Sequence, residues 1–247
     1  MDNILVLLLV KENSKRLKNK NLKGLSGDPK GWKQPLYWYA LAAAVKADMS
    51  KYVYISTESK RVVNNCRYGY MAAKYGNTDV CPIRFIMRPE FTTKEGYELS
   101  DVCRYVIYQL KDKYDTLIMI QPSNPFVKAE DIKNCYDLFV KHDRKTVRSV
   151  TKINKQVWRP ISYYEGGDQD FPNTADNIAK IKVITPYSTN SFVGNGSIVI
   201  MDVKRFLEEK TLADIVTIPY IMPKERSVDI DDEFDFNVAQ MIMERKL

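Results

Sequence analysis

The chain has 247 residues, 45% hydrophobic and 28% charged, with a net charge of +7. This is the balance of an ordinary globular protein, long enough to bury a core without disulfide or metal staples. Four scattered cysteines (Cys66, Cys81, Cys103, Cys135), no C-x-x-C pair and a single histidine, His142, argue against a Cys/His zinc site and fit a reducing compartment.

Ile4–Val10 is a short apolar run. A membrane span needs about 20 such residues. No basic region precedes the run and no small-residue cleavage site follows it, so it reads as a buried strand of a cytoplasmic protein. A polar, lysine-rich loop comes next, then an alanine-rich helix over 35–45, with Pro35 in its first turn. Tyr52–Ser56 is β-branched and aromatic and reads as a strand. Lys60–Tyr75 reads as a helix ending near Gly76. Arg84–Met87 is the next strand, and Ser100–Leu110 a helix with Ser100 as its cap. Leu117–Ile120 is an apolar strand that runs into Gln121-Pro122-Ser123-Asn124-Pro125, where two prolines end any central ladder. A helix over Ala129–Val140 and strands at Val147–Val150, Ser197–Ile200 and near Ile215–Ile218 follow, with a last helix from about Glu233.

Alternating β and α units imply one α/β domain over 1–247 with a mostly parallel sheet covered on both faces. The polar stretch 154–195 breaks the rhythm. It reads as an insertion that closes the site or makes a dimer contact, with Trp158, Tyr163, Tyr164 and Phe171 as its aromatic residues. In such sheets ligands bind at the carboxyl ends of strands, which directs attention to the loops after Val10 and Ile120.

Three constellations carry candidate chemistry. The loop Lys11-Glu12-Asn13-Ser14-Lys15-Arg16-Leu17-Lys18-Asn19-Lys20-Asn21 could hold a triphosphate through amides and ammonium groups. It lacks the glycines of a P-loop or dinucleotide fingerprint, and spacing alone favours a solvated lysine-rich loop. Gln121 and Ser123 could hydrogen-bond a sugar or ribose, or serve the turn alone. In Ser227-Val228-Asp229-Ile230-Asp231-Asp232-Glu233, extended spacing turns Asp229 and Asp231 to one face and Ile230 to the core. Two such carboxylates suit magnesium when phosphates add ligands. The competing reading makes Asp231 the N-cap of the last helix, and both roles can coexist.

These segments, in this order, resemble the CMP-sialic acid synthetase (acylneuraminate cytidylyltransferase) family. Asn13-Ser14-Lys15-Arg16-Leu17 with Lys20-Asn21-Leu22 is similar to its nucleotide-binding motif. Ser56-Thr57-Glu58, Arg88-Pro89-Glu90, Gln121–Pro125, Gln169-Asp170-Phe171-Pro172, Asn195-Gly196-Ser197-Ile198 and Ser227–Asp231 resemble further family segments. The family usually has arginine where Lys11 stands, tends to aspartate at Lys94, and often has arginine at Val127.

The resemblance implies a three-layer Rossmann-like nucleotidyltransferase fold, with the insertion making a homodimer. It also implies CTP, Mg²⁺ and a 2-keto sugar acid whose anomeric hydroxyl attacks the α-phosphate as pyrophosphate leaves. It places Lys11, Lys20 and Asp231 in catalysis and Asn13, Ser14, Lys20, Asn21 and Arg88 on the nucleotide. Gln121, Ser123 and Asn195 fall on the sugar acid, and Asp229 and Asp231 on the metal. The expected partners are CTP and a sugar acid, not nucleic acid or membrane. Three alternatives stay open: a nucleotidylyltransferase for another sugar acid, such as a deoxy-octulosonate or other nonulosonate; a basic nucleic-acid-binding protein, for which salt-dependent polyanion binding is the signature; and an inactive binding paralogue, suggested by Lys11 and Lys94.

Overall fold

The computed structural model describes residues 2–26, 33–66, 82–94, 96–110, 113–153, 191–210, 212 and 217–245, and the backbone of 158–160 and 181–183. The strands in chain order are β1 (Ile4–Leu9), β2 (Gly24–Ser26), β3 (Lys33–Pro35), β4 (Val53–Thr57), β5 (Ile83–Met87), β6 (Thr116–Ile120), β7 (Val147–Ile153), β8 (Trp158–Pro160), β9 (Ile181–Val183), β10 (Ser191–Asp202) and β11 (Ile218–Ile221). The helices are α1 (Leu36–Ala47), α2 (described over 60–66), α3 (Leu99–Gln109), α4 (Ala129–Lys141), α5 (Val203–Glu209) and α6 (Glu233–Arg245).

A seven-stranded sheet has the order β11-β7-β10-β6-β1-β4-β5, and β10 alone runs against its neighbours. β1 sits in the middle, with Leu8 opposite Ile55 on one side and Ile120 on the other. All six of its residues are buried, because helices cover both faces and alternation has no solvent side to mark. Its side chains divide the core in two. Ile4, Val6 and Leu8 pack with Tyr37, Ala40 and Phe139 beneath α1 and α4. Leu5, Leu7 and Leu9 pack with Val102, Val106 and Phe206 beneath α3 and α5. This is the expected three-layer α/β/α architecture. A third cluster joins Leu17, Leu25 and Leu36 to Ile230, Phe236 and Ala239, so α6 closes over the β2–β3 hairpin.

The chain leaves β1 toward β4 and β5, then returns to β6 on the opposite side. The connections that leave the carboxyl ends of β1 and β6 therefore run in opposite directions, and the crevice outside those ends is where this topology places a ligand.

Several local expectations change. Pro35 precedes α1 with extended backbone (φ −59°, ψ 145°), so it ends β3 and does not form the first helical turn. Ser100 lies inside α3; the cap is Glu98, whose N–H donates to Asp101 Oδ2 at 2.9 Å in a reciprocal capping box. β10 begins at Ser191, inside the stretch read as an insertion, and a short β8–β9 antiparallel pair lies within it. The other features expected over 154–190, the helix beyond residue 66 and Cys81 fall outside the described side chains. Among the described residues no helix is long and apolar enough to cross a membrane.

Candidate active site

At the carboxyl ends of β1 and β6 lies a cleft of about 940 Å³, lined from three sides. The loop after β1 contributes Lys11, Ser14, Lys15, Arg16, Lys20 and Asn21; the segment after β5 contributes Arg88, Tyr97 and Leu99; Gln121, Ser123, Asp229 and Asp231 complete it.

The first loop is held by its own sequence. Leu17 buries itself in the α6 cluster, which leaves the neighbouring cations at the cleft. The Asn21 side chain donates to the Lys11 carbonyl at 2.8 Å and ties the loop's two ends together. Lys11 is partly buried among cations: desolvation, then Lys20 and Arg88, push its ammonium below the usual lysine range. An anion in the cleft relieves that strain.

Arg88 is anchored from behind. Its Nη2 donates to Glu58 Oε2 at 3.1 Å, with both side chains nearly buried. Glu58 Oε1 accepts the Glu12 N–H at 2.8 Å, so one carboxylate joins the ends of β4 and β5 to the loop after β1. Desolvation lowers the guanidinium pKa against the opposing pull of Glu58.

The third wall is built by cross-bracing. Ile230 donates its N–H to the Ser123 carbonyl at 3.1 Å, and its side chain is fully buried. Burying such a side chain stabilises by roughly 1.5–3 kcal/mol, which fixes the two residues flanking it. Asn124, fully buried, donates to the carbonyls of Asn195 at 2.9 Å and Val228 at 3.3 Å.

Asp229 is partly buried, and its Oδ1 is sealed from solvent without a hydrogen-bond partner. Burial raises its pKa above the usual carboxylate range. Ser123 opposes this through a hydrogen bond, and Asp231 adds to it. Asp231 does not cap α6. Asp232 takes that role, accepting the Asp235 N–H at 3.0 Å, while Asp235 Oδ2 accepts the N–H groups of Asp231 and Asp232. The Asp231 carboxylate is thereby left to the cleft, where its Oδ1 meets Arg16 at 2.8 Å and Lys20 at 3.1 Å.

The fold thus brings together Lys11, Ser14, Lys20, Asn21, Arg88, Gln121, Ser123, Asp229 and Asp231. It leaves Asn13 exposed and outside the lining. Asn195 is 4% exposed, and its side chain is used internally: Oδ1 accepts from Ser149 Oγ at 2.6 Å and Nδ2 donates to Ser227 Oγ at 2.9 Å. Val127 packs in the core. Sequence reasoning did not single out Glu58 or Asn124 for the site, because their roles depend on partners far along the chain.

Gly196 is a further determinant. Its φ is +68°, and a Cβ there would stand 3.3 Å from Asp229 Oδ2. Gly196→Ala is expected to cost about 1–2 kcal/mol from left-handed backbone alone and to displace Asp229. Thermal melting reads the first effect; a variant that melts like wild type would show that the turn has another solution.

An ion at Asp229 and Asp231 fits what is present. Among the described residues no group of three or more His, Cys, Asp or Glu could hold a metal. Two carboxylates, one with an unpartnered oxygen, suit a hard cation that takes its remaining ligands from phosphate and water.

The chain is similar to known proteins in sequence and in fold. The chain is 28% identical over 252 residues to the N-acylneuraminate cytidylyltransferase of Escherichia coli, covering 98% of this chain and 52% of that protein. It is 25% identical to the CMP-N,N'-diacetyllegionaminic acid synthase of Legionella pneumophila over 98% of this chain and 96% of that one. The chain therefore spans about half the length of the E. coli relative and nearly all of the Legionella one. Among solved structures, CMP:2-keto-3-deoxy-manno-octonic acid synthetase complexed with CTP superposes over 100% of both chains with a TM-score of 0.62 at 12% identity. The 4-diphosphocytidyl-2C-methyl-D-erythritol synthase of Anaerococcus prevotii gives 0.60 at 11%. These two matches report the fold. The sequence profile of cytidylyltransferases matches residues 5–160, which include β1, its basic loop, Glu58, Arg88 and the Gln121–Pro125 turn, and on that match this chain belongs to the cytidylyltransferase family.

Proposed function

We propose that this protein is a Mg²⁺-dependent enzyme that transfers CMP from CTP to a sialic-acid-like 2-keto sugar acid and releases pyrophosphate. The observation that carries the reading is one cleft in which Lys11, Lys15, Arg16, Lys20 and Arg88 face the Asp229–Asp231 pair. A polyanion with a bridging cation is the ligand that satisfies both signs of charge.

In this reading Lys11 and Lys20 hold phosphates, and Ser14, Asn21 and Arg88 orient the nucleotide, with Asn13 at the loop's outer edge. Ser14 Oγ, Asn21 Oδ1 and Arg88 Nε are each buried without a hydrogen-bond partner, as expected of groups whose partner is the substrate. Gln121 and Ser123 receive the sugar acid, and Asn195 shapes that wall from behind. Asp229 and Asp231 hold Mg²⁺, which when bound neutralises charge on the phosphates. The remaining catalysis is positioning: the substitution at phosphorus needs alignment and charge compensation more than a strong base.

We further infer a homodimer formed through the 154–195 segment and a cytoplasmic location. The described cysteines Cys66, Cys103 and Cys135 are buried and not joined in disulfides, which supports the latter. The Legionella relative, alike over nearly its full length, favours a second reading in which the acceptor is another nonulosonate.

One assay tests the activity and ranks the acceptors: pyrophosphate release from CTP, ATP or GTP with Mg²⁺ and a panel of 2-keto sugar acids. The expected result is turnover with CTP at least about tenfold above ATP and GTP, for one nine-carbon acid above an eight-carbon one. Equal turnover with all three nucleotides, or none with any acid, would overturn the assignment.

A further inference from the structure

We propose that Arg16 occupies the metal's place at Asp231 in the ligand-free protein and transfers to the nucleotide's phosphates when metal and nucleotide bind. The inference rests on the metal-dependent reading above. It adds a phosphate-binding residue and a coupling between the two ligands.

Asp231 Oδ1 carries two cations, and the two differ in kind. Lys20 is only 15% exposed, and its Nζ also donates to the Ile230 carbonyl, so it is fastened to the backbone that bears the carboxylates. Arg16 is 69% exposed and reaches Asp231 at 2.8 Å from the loop after β1. An ion pair that open to water is weak and readily exchanged. Lys20 therefore reads as a fixed part of the site and Arg16 as a replaceable one.

Both cations repel a divalent ion at Asp231, and of the two only the exposed Arg16 can swing away, because Lys20 is held by the Ile230 carbonyl. Metal binding to the free protein therefore displaces Arg16, and that displacement opposes it. A triphosphate removes the obstacle. Arg16 lines the same cleft as Lys11, Lys15 and Lys20, so its side chain needs only a local swing to reach an anion there. Its planar fork pairs two phosphate oxygens at once, which a lysine ammonium does not do. Nucleotide thus withdraws Arg16 from Asp231, and metal at Asp231 releases Arg16 for the nucleotide. By linkage each ligand tightens the other by the same factor.

The test uses Mn²⁺ as the metal probe, with free ion followed by electron paramagnetic resonance. Wild type, Arg16→Gln, Arg16→Lys and Asp231→Asn are each titrated with and without CTP, no sugar acid present, after correction for the Mn²⁺–CTP complex. Melting curves confirm that each variant is folded. In the absence of nucleotide, Arg16→Gln is expected to bind Mn²⁺ roughly two- to fivefold tighter than wild type, the range that loss of an exposed ion pair allows. Arg16→Lys keeps the charge and should stay near wild type. The CTP-induced gain in Mn²⁺ affinity should shrink in Arg16→Gln. Unchanged or weaker Mn²⁺ binding by nucleotide-free Arg16→Gln, with Asp231→Asn weakened, would reject the exchange and leave the metal site standing. Mn²⁺ binding by Asp231→Asn equal to wild type would instead remove the metal from Asp231, and the exchange with it.

Discussion

Arg226→Leu is expected to destabilise the fold by about 3–5 kcal/mol, the usual result of leaving a buried charge without its partner. Asp131 is fully buried at the start of α4, where its Oδ1 accepts from Arg226 Nη2 at 2.7 Å and Tyr220 Oη at 2.9 Å. Its Oδ2 accepts the Lys128 N–H at 2.9 Å, so the carboxylate caps the helix as well. Leucine would match much of the arginine's apolar stem but leave the carboxylate facing it unpaired. For a chain of this size the loss corresponds to a fall in Tm of roughly 10 °C. The double variant Asp131→Asn/Arg226→Leu removes the charge while keeping an acceptor for the cap, and should recover much of that loss. Thermal melting of the three proteins decides it; a single variant as stable as wild type would show that solvent or another cation reaches Asp131. Arg226 stands at the end of the turn that leads into Asp229 and Asp231, so this pair also sets where the carboxylates lie. That role predicts lower turnover in the double variant even where its stability returns.

Asp229→Asn should separate activity from stability. If Asp229 holds the metal, turnover is expected to fall by about 10²-fold or more, from the several kcal/mol that metal charge stabilisation supplies. Stability should move the other way. The folded-state pKa of Asp229 is raised, chiefly by burial, so the ionised form is disfavoured in the folded protein. A raised pKa means that the contribution favouring the fold is complete below the unfolded value and lost as pH rises through the folded one. At neutral pH wild type therefore carries a penalty that the neutral amide lacks. An amide left without a partner costs less than a charge left without one. The variant should melt higher than wild type near pH 7, and the difference should shrink as pH falls into the carboxylate range. Steady-state turnover against Mg²⁺ concentration, with melting curves across pH, measures both arms. A stable variant with wild-type turnover would remove Asp229 from the reaction.

Much of this was legible in the residue order. The unbroken apolar run of β1 announced a strand covered on both faces, and the alternation of elements announced the parallel sheet. The topology rule then pointed at the two loops that do line the cleft. The Asp229-Ile230-Asp231 spacing set Ile230 in the core and both carboxylates at the cleft, because extended backbone alternates faces whatever its surroundings. The basic loop is less legible: spacing alone favours solvated lysines, and nothing local shows that Leu17 buries itself and turns Lys11, Ser14 and Lys20 inward.

Hydrophobic periodicity and turn chemistry are local, and the sequence by itself determined what depends on them: the element types, the central strand and the face each carboxylate takes. Polar pairing is not local. Asp231 and Asp232 are equally good caps by residue type, and only the approach of Arg16 and Lys20 at Asp231, with Asp235 folding back on Asp232, assigns one to the cleft and the other to the helix. Glu58 has many cations within reach of an unfolded chain, and only parallel pairing of β4 with β5 sets it against Arg88. Asp131 and Arg226 likewise meet across a wide stretch of sequence, because β11 pairs beside β7 and brings the turn after it to α4. A charged side chain accepts any opposite charge that arrives, so tertiary structure alone decides which one does.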